Sequence, residues 1–178
     1  MTSLAPETAH PPAAPGANLG ADMEADTLAN MYLTFDIGTE EYGVSIADVI
    51  EIVGMQRIMP IPDLPPYLKG VINLRGKVIP LMDIRLRFNM PERPYDDRTV
   101  IIVMEVDDSP IGLIVDGVRE VREIPIDRID RHAQLGKTGT RQVIAGLGRL
   151  EKSVVVLLNP SVLVSEDDIR LLQEKSDA

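Results

Sequence analysis

Cysteine and tryptophan are missing from this 178-residue chain, histidine occurs twice, and aromatic residues make up only 3%. Without cysteine there is no disulfide framework, no thiolate nucleophile and no cysteine-bound metal. The two histidines, His10 and His132, fall in a proline-rich tail and in a Gly/Thr-rich loop. Neither sits in a nucleophile-elbow context, so a Ser-His-Asp arrangement is not expected. No apolar run approaches the roughly 20 residues that span a membrane. Residues Met1 to Asn30 carry neither the basic n-region nor the apolar h-region of a signal peptide, and the expected location is cytoplasmic. Basic charge is also short: 18 Lys and Arg face 28 Asp and Glu, a net charge of −10. An acidic surface repels phosphate backbones and the scarcity of aromatics removes stacking platforms, so nucleic acid is not an expected partner. The hydrophobic fraction, 44%, is enough for a buried core.

Catalytic and cofactor motifs are equally thin. Gly70 to Lys77 has the outline of a phosphate loop, but its spacing is one residue too long, Val78 stands where Ser or Thr is needed, and no helix follows. The pairs Asp96-Asp97 and Asp107-Asp108 offer carboxylates for Mg²⁺, yet both lie in turn contexts, where Asp caps backbone groups and stays solvated. No glycine-rich dinucleotide fingerprint joins a strand to a helix. A catalytic site, a cofactor and a metal are all unexpected.

What is present is a series of short β-rich runs. Residues 1–29, with Pro6, Pro11, Pro12 and Pro15 among Ala, Gly and Thr, bury too little to offset the entropy of ordering and read as a disordered tail. From Met31 onward, Tyr32 to Ile37 and Tyr42 to Val44 form a hairpin about Gly38-Thr39. Val71 to Leu74 and Lys77 to Met82 form another about Arg75-Gly76. Thr99–Val106, Ile111–Val115, Arg119–Ile124 and Ser153–Leu158 follow as strands. Ser45 and Ser165, each three residues before an Asp, are expected helix N-caps, the second opening a C-terminal helix docked by Ile169, Leu171 and Leu172. Asp63 to Gly70 suits a further short turn of helix.

The strands repeat. A shift of 69 positions places Leu33, Phe35, Gly43, Val49, Glu51 and Ile52 on Ile102, Met104, Gly112, Val118, Glu120 and Val121. A shift of 76 places Gly70, Leu74, Val78 and Leu81 on Gly146, Leu150, Val154 and Leu157. The seven extra residues fit an insertion around His132 to Thr140. Paired glycines and glutamates in preserved order indicate duplication. Each half, of about five short strands, manages its edges best by curling into a small barrel. Two barrels share a middle seam, and such seams are frequent binding sites.

Tyr67-Leu68-Lys69-Gly70-Val71-Ile72-Asn73-Leu74-Arg75-Gly76-Lys77-Val78-Ile79-Pro80-Leu81-Met82-Asp83-Ile84-Arg85 resembles the signature of the CheW family of bacterial chemotaxis coupling proteins. Glu41 to Ile52 and Gly112 to Val118 resemble two further blocks of that family, in the same order. The resemblance, from about Met31 to about Glu174, implies an all-β fold. It consists of two five-stranded SH3-like barrels in pseudo-symmetric arrangement, with short helical turns and a C-terminal helix. The CheW-like domain would occupy 30–178, its interleaved subdomains running roughly over 35–98 and 99–160. The implied function is that of a non-catalytic adaptor in the cytoplasm, recruited to membrane-bound arrays. It would couple the cytoplasmic tip of methyl-accepting chemoreceptors to the regulatory domain of the histidine kinase CheA. A coupling protein of a parallel chemosensory pathway, controlling pili or gene expression, would share the fold. Carried over by position, the implied partner-binding residues are Val49, Glu51, Ile52, Arg75, Val100 and Val121. After Ile129 many relatives continue with Arg-Pro, where this chain has Asp130-Arg131-His132.

Overall fold

The computed structural model describes residues 28–131 and 143–176. His10, the insertion loop with His132, and all but the last two residues of the tail lie outside them. Among the described residues, eleven strands form two sheets. One sheet has the order β8-β1-β2-β11-β10-β9 and the other β3-β6-β7-β5-β4. In chain order the strands are β1 (Met31–Ile37), β2 (Glu40–Ser45), β3 (Val49–Gly54), β4 (Leu68–Leu74), β5 (Lys77–Asp83), β6 (Val100–Val106), β7 (Ser109–Val115), β8 (Gly117–Glu123), β9 (Ile129–Asp130), β10 (Ile144–Arg149) and β11 (Val154–Leu158). Three short helices follow the last strands of the two repeats: α1 (Ile84–Arg87), α2 (Pro160–Leu163) and α3 (Glu166–Ser176).

The interleaving of the subdomains takes the form of a hairpin exchange. The β1–β2 hairpin opens the first repeat but pairs with β8 and β11 of the second. The β6–β7 hairpin opens the second repeat but pairs with β3 and β5 of the first. Each barrel therefore takes strands from both sides of residue 98. The duplication is legible in the register. Gly43 lies opposite Leu157 in the parallel β2–β11 ladder, and Gly112 opposite Leu81 in the parallel β5–β7 ladder. Gly70 pairs with Leu81, and Gly146 with Leu157.

The paired glycines mark close approaches. At Gly112 a Cβ would stand 2.5 Å from Leu81 Cδ2 and 2.7 Å from Ile101 Cγ2; at Gly43 it would stand 3.1 Å from Leu157 and Val155. These are the two places where an exchanged hairpin lies against the last strand of the other repeat. Gly70, at φ +128°, and Gly146 sit where the incoming chain crosses to close each barrel, and a side chain would strike the Met59 carbonyl or Ile129 and Asp130. The crossing is an isolated Met59–Val71 bridge in the first barrel and β9 against β10 in the second.

Three apolar clusters result among the described residues. Ile72, Ile79, Leu81, Ile101, Val103 and Ile114 fill the first barrel, and Ile124, Val155 and Leu157 the second. The largest lies between the sheets. There Leu33, Phe35, Val44, Ile102, Met104 and Leu113 from the exchanged hairpins meet Leu68, Met82 and Leu158. The expected seam is thus a packed core, and only its margins reach solvent.

Two local expectations change. Asp63 to Gly70 forms turns and the start of β4 instead of a helical turn. Pro65 and Pro66 bias the residues before them away from α geometry, Asp63 sits at φ 62°, and Leu68 N–H bonds back to the Pro65 carbonyl at 3.0 Å. Ser45 precedes a 3-10 turn (Ile46–Asp48) without a side-chain cap bond. Ser165 does cap α3: its Oγ accepts from Asp168 N–H at 3.1 Å, and Asp168 accepts from Ser165 N–H at 3.2 Å.

Filling the Gly112 contact tests this packing. Gly112→Val overpacks the β5–β7 junction and is expected to lower unfolding free energy by about 2 kcal/mol in urea titration. Gly54→Ala, where a Cβ meets nothing within 4 Å, is expected to stay within about 0.5 kcal/mol of the parent.

Candidate partner-binding site

The edge strands β3 and β8 occupy equivalent places in the two sheets, and each carries a bulge. In β3 the register shifts between Val49 and Glu51; in β8 the equivalent shift is accommodated between Val118 and Val121, opposite Leu33 and Phe35. In β8 the buried Thr34 hydroxyl fills the irregularity, donating to the Glu120 carbonyl at 2.9 Å.

The register sorts the six sequence-derived residues onto two faces. Val49 lies opposite Met104, Ile52 opposite Ile102 and Val121 opposite Leu33, all partners in the central core. Cross-strand partners share a face, so these three project on the seam side, as does Val100, which packs against the same core. Val49 and Val100 are half-buried, whereas Ile52 is 42% and Val121 45% exposed. Two aliphatic side chains at repeat-equivalent positions thus stand in water at the margins of the packed seam. A lone exposed aliphatic is ordinary; a matched pair beside half-buried valines is an unfinished apolar surface.

Glu51 and Arg75 lie elsewhere. Glu51 faces with Val103, a residue of the first barrel's own core. Arg75 and Gly76 form the two-residue tip of the β4–β5 hairpin at φ 53° and 84°. Positive φ at both positions is the signature of a type I′ turn, and Asn73 Oδ1 accepts the Gly76 N–H at 2.9 Å. Arg75 is not a free tip. Its Nη1 and Nη2 donate to Glu51 Oε1 and Oε2 at 3.0 and 2.8 Å. The two-bond geometry fixes the guanidinium across the barrel mouth, although an exposed pair contributes only about 0–1 kcal/mol. The second barrel solves the same position differently: Glu120 pairs with Arg122 at 2.6 Å, and Arg122 reaches the β10–β11 tip at Ser153 Oγ, 3.3 Å away.

A charged network beside this site gave no signal in the sequence, because its members lie tens of residues apart. Asp36 pairs with Arg119 at 2.5 Å, and the nearly buried Glu41 lies 3.5 Å from Arg119 and 3.7 Å from Arg122. Asp116 sits where the chain crosses from one sheet to the other. It accepts from Arg85 Nε at 2.9 and 3.0 Å and from Gly38 N–H at 2.7 Å. Burial pushes its carboxyl up, but the Arg85 and Gly38 hydrogen bonds outweigh that and hold it below the usual carboxylate range. The Asp96 carboxylate accepts backbone N–H groups of Arg98 and Thr99 at 2.8 and 3.2 Å, and Asp107 and Asp108 form a left-handed turn at φ 49° and 64°. Both Asp pairs therefore serve turns, and among the described residues no group of three or more acidic or histidine side chains is arranged around a metal position.

The chain resembles known proteins over most of its length. The family model described as the CheW-like domain matches residues 31–168. The chain is 32% identical over 150 residues to a chemotaxis protein CheW of Klebsiella aerogenes, covering 84% of this chain and 90% of that one. It is 33% identical over 136 residues to a probable chemotaxis protein CheW of Rhizobium etli, covering 76% and 88%. Its fold is similar to the crystal structure of the scaffolding protein TtCheW from Thermoanaerobacter tengcongensis, with a TM-score of 0.71 at 30% identity over 79% of this chain and 95% of that one.

The crossover pair generates a pH prediction. Asp116→Asn is expected to cost on the order of 2 kcal/mol at pH 7, since it leaves Arg85 without its ionised partner in a mostly buried site. The native carboxyl titrates below its unfolded value, so its contribution is complete above about pH 4 and fades as pH falls through the lowered native value. Urea unfolding of both proteins from pH 7 to pH 3 should show the gap narrowing toward acid.

Proposed function

The chain belongs to the CheW-like family, and we propose that it works as a coupling adaptor in a chemosensory array. It joins the cytoplasmic tip of a methyl-accepting chemoreceptor to the regulatory domain of the histidine kinase CheA. In this reading the protein makes and breaks no bonds, is cytoplasmic, and reaches the membrane only through its receptor. The observation that carries the proposal is the matched pair Ile52 and Val121, exposed at equivalent margins of the seam beside Val49 and Val100. A receptor's helical hairpin presents an apolar stripe with polar flanks. Burying two or three aliphatic side chains on each side supplies affinity, while charges at the rim set register.

We assign the Arg75–Glu51 end of the first barrel to the kinase. Arginine in a held geometry is a frequent hot spot, because its order is already imposed before binding. The two faces lie on opposite sides of β3, so receptor and kinase engage the adaptor together. A shift of the receptor hairpin at the seam margin is passed to the kinase through one rigid strand. Coupling of this kind is a free energy shared between two sites.

Each face has its own test. Ile52→Asp and Val121→Asp are each expected to weaken binding to a receptor-tip fragment at least tenfold in calorimetry, with the kinase interaction retained. Arg75→Glu sets a carboxylate beside Glu51 and is expected to weaken binding to the kinase regulatory domain while costing about 0.5 kcal/mol of stability. Co-sedimentation with receptor fragments and CheA, read as kinase activation, is the joint test. If all three variants bind and activate as the parent does, the assignment is wrong.

A further inference from the structure

A second apolar surface lies at the β4–β5 edge of its sheet, opposite the β3 edge, where Val106, Ile111, Val164 and Leu172 of the central core border it. Between the β4–β5 hairpin, the end of the β6–β7 hairpin and α3 runs a cleft of about 360 Å³, walled by Val71, Val78, Pro80, Pro110, Ile169 and Leu172. Val78 is 52% exposed there. The rim is acidic. Glu105 lies opposite Pro110 in the β6–β7 ladder. Asp107 and Asp108 form the turn between Val106 and Ser109, both wall residues, and Glu166 lies three positions before Ile169 on α3. Among the described residues Glu105, Asp108 and Glu166 have no ion pair or side-chain hydrogen bond.

The internal repeat shows that these carboxylates differ from their counterpart. Asp36, the equivalent of Glu105 in the other barrel, is neutralised by Arg119 at 2.5 Å and by Arg98 at 3.6 Å. The positions equivalent to Arg119 and Arg122 in the first barrel are Ile50 and Val53. One barrel thus supplies cations for its own carboxylate, while the other keeps a carboxylate, lacks the arginines and sets it beside an open apolar wall. Unpaired rim carboxylates around an apolar floor complement a ligand that is aliphatic in the middle and cationic at its edges. Ile169 and Leu172, the i, i+3 pair that seats α3 on the central core, form one wall of the cleft.

We propose that this cleft docks an amphipathic helix of a partner protein, with an aliphatic stripe flanked by Lys or Arg. The test uses the isotope-labelled full chain and a synthetic helical peptide with Leu at i, i+3, i+4 and i+7 and Lys on both flanks. A twin peptide carries Glu in place of Lys. The Lys peptide is expected to shift the amides of Val71, Val78, Ile111, Ile169 and Leu172, and to bind more weakly as salt rises. Glu105→Lys combined with Asp108→Asn, Asn being tolerant of the left-handed backbone at that position, is expected to weaken it at least tenfold with the far-ultraviolet spectrum unchanged. The proposal is overturned by shifts that are absent or scattered over the surface, or by equal binding of the Glu peptide. It is also overturned if the same amides move with protein concentration alone, which would mean a second copy, or if they contact this chain's own residues 1–27.

Discussion

Each barrel in this molecule is closed by a hairpin that belongs to the other repeat, and the rest of the structure depends on that exchange. The parallel ladders β2–β11 and β5–β7 are where the two repeats lie against each other, and in each a glycine, Gly43 or Gly112, leaves room for the close approach. The exchanged hairpins also supply the greater part of the core between the sheets. A small barrel cut at residue 98 would keep its outer strands and lose its middle ones, together with the seam. The two sheets therefore hold a fixed relation, which an adaptor needs if it is to carry a displacement from one partner to another.

The duplication is equally informative where it fails. Glycines and aliphatic core positions match across the repeat because both barrels face the same packing problem. Charge does not match. Asp36, Glu41, Arg119 and Arg122 form an ion-paired network on one barrel, with Glu41 Oε1 buried and without a hydrogen bond among the described residues, while their counterparts Glu105, Pro110, Ile50 and Val53 leave an apolar surface with an unpaired carboxylate on the other. Core positions are constrained by volume, which tolerates little change. Surface charge is not fixed by packing, and it differs between the two barrels.

Much of this was legible in the sequence, and the exceptions have physical reasons. The strands, the capping pair at Ser165 and Asp168, and the repeat followed from local chemistry: turn residues, periodicity and matched glycines. The hairpin exchange was not legible, because Tyr32 to Val44 offers the same Val- and Ile-compatible edge to either half, and only the three-dimensional packing chooses between them. Asp63 to Gly70 suits a helical turn by sequence, whereas in the fold Gly70 makes room for the Met59 carbonyl. The six candidate residues were found by resemblance, but their division into a seam face and a barrel-end face required the register around the β3 bulge. The Arg75–Glu51 bond joins residues 24 positions apart and has no local signature.

Native-state hydrogen exchange measures the central constraint directly. If the exchanged hairpins weld the barrels into one cooperative unit, the slowest amides of both sheets, such as Phe35 and Val44 in one and Ile102 and Leu113 in the other, should share a single opening free energy equal to that of global unfolding. One sheet opening at a clearly lower free energy while the other stays protected would contradict the account.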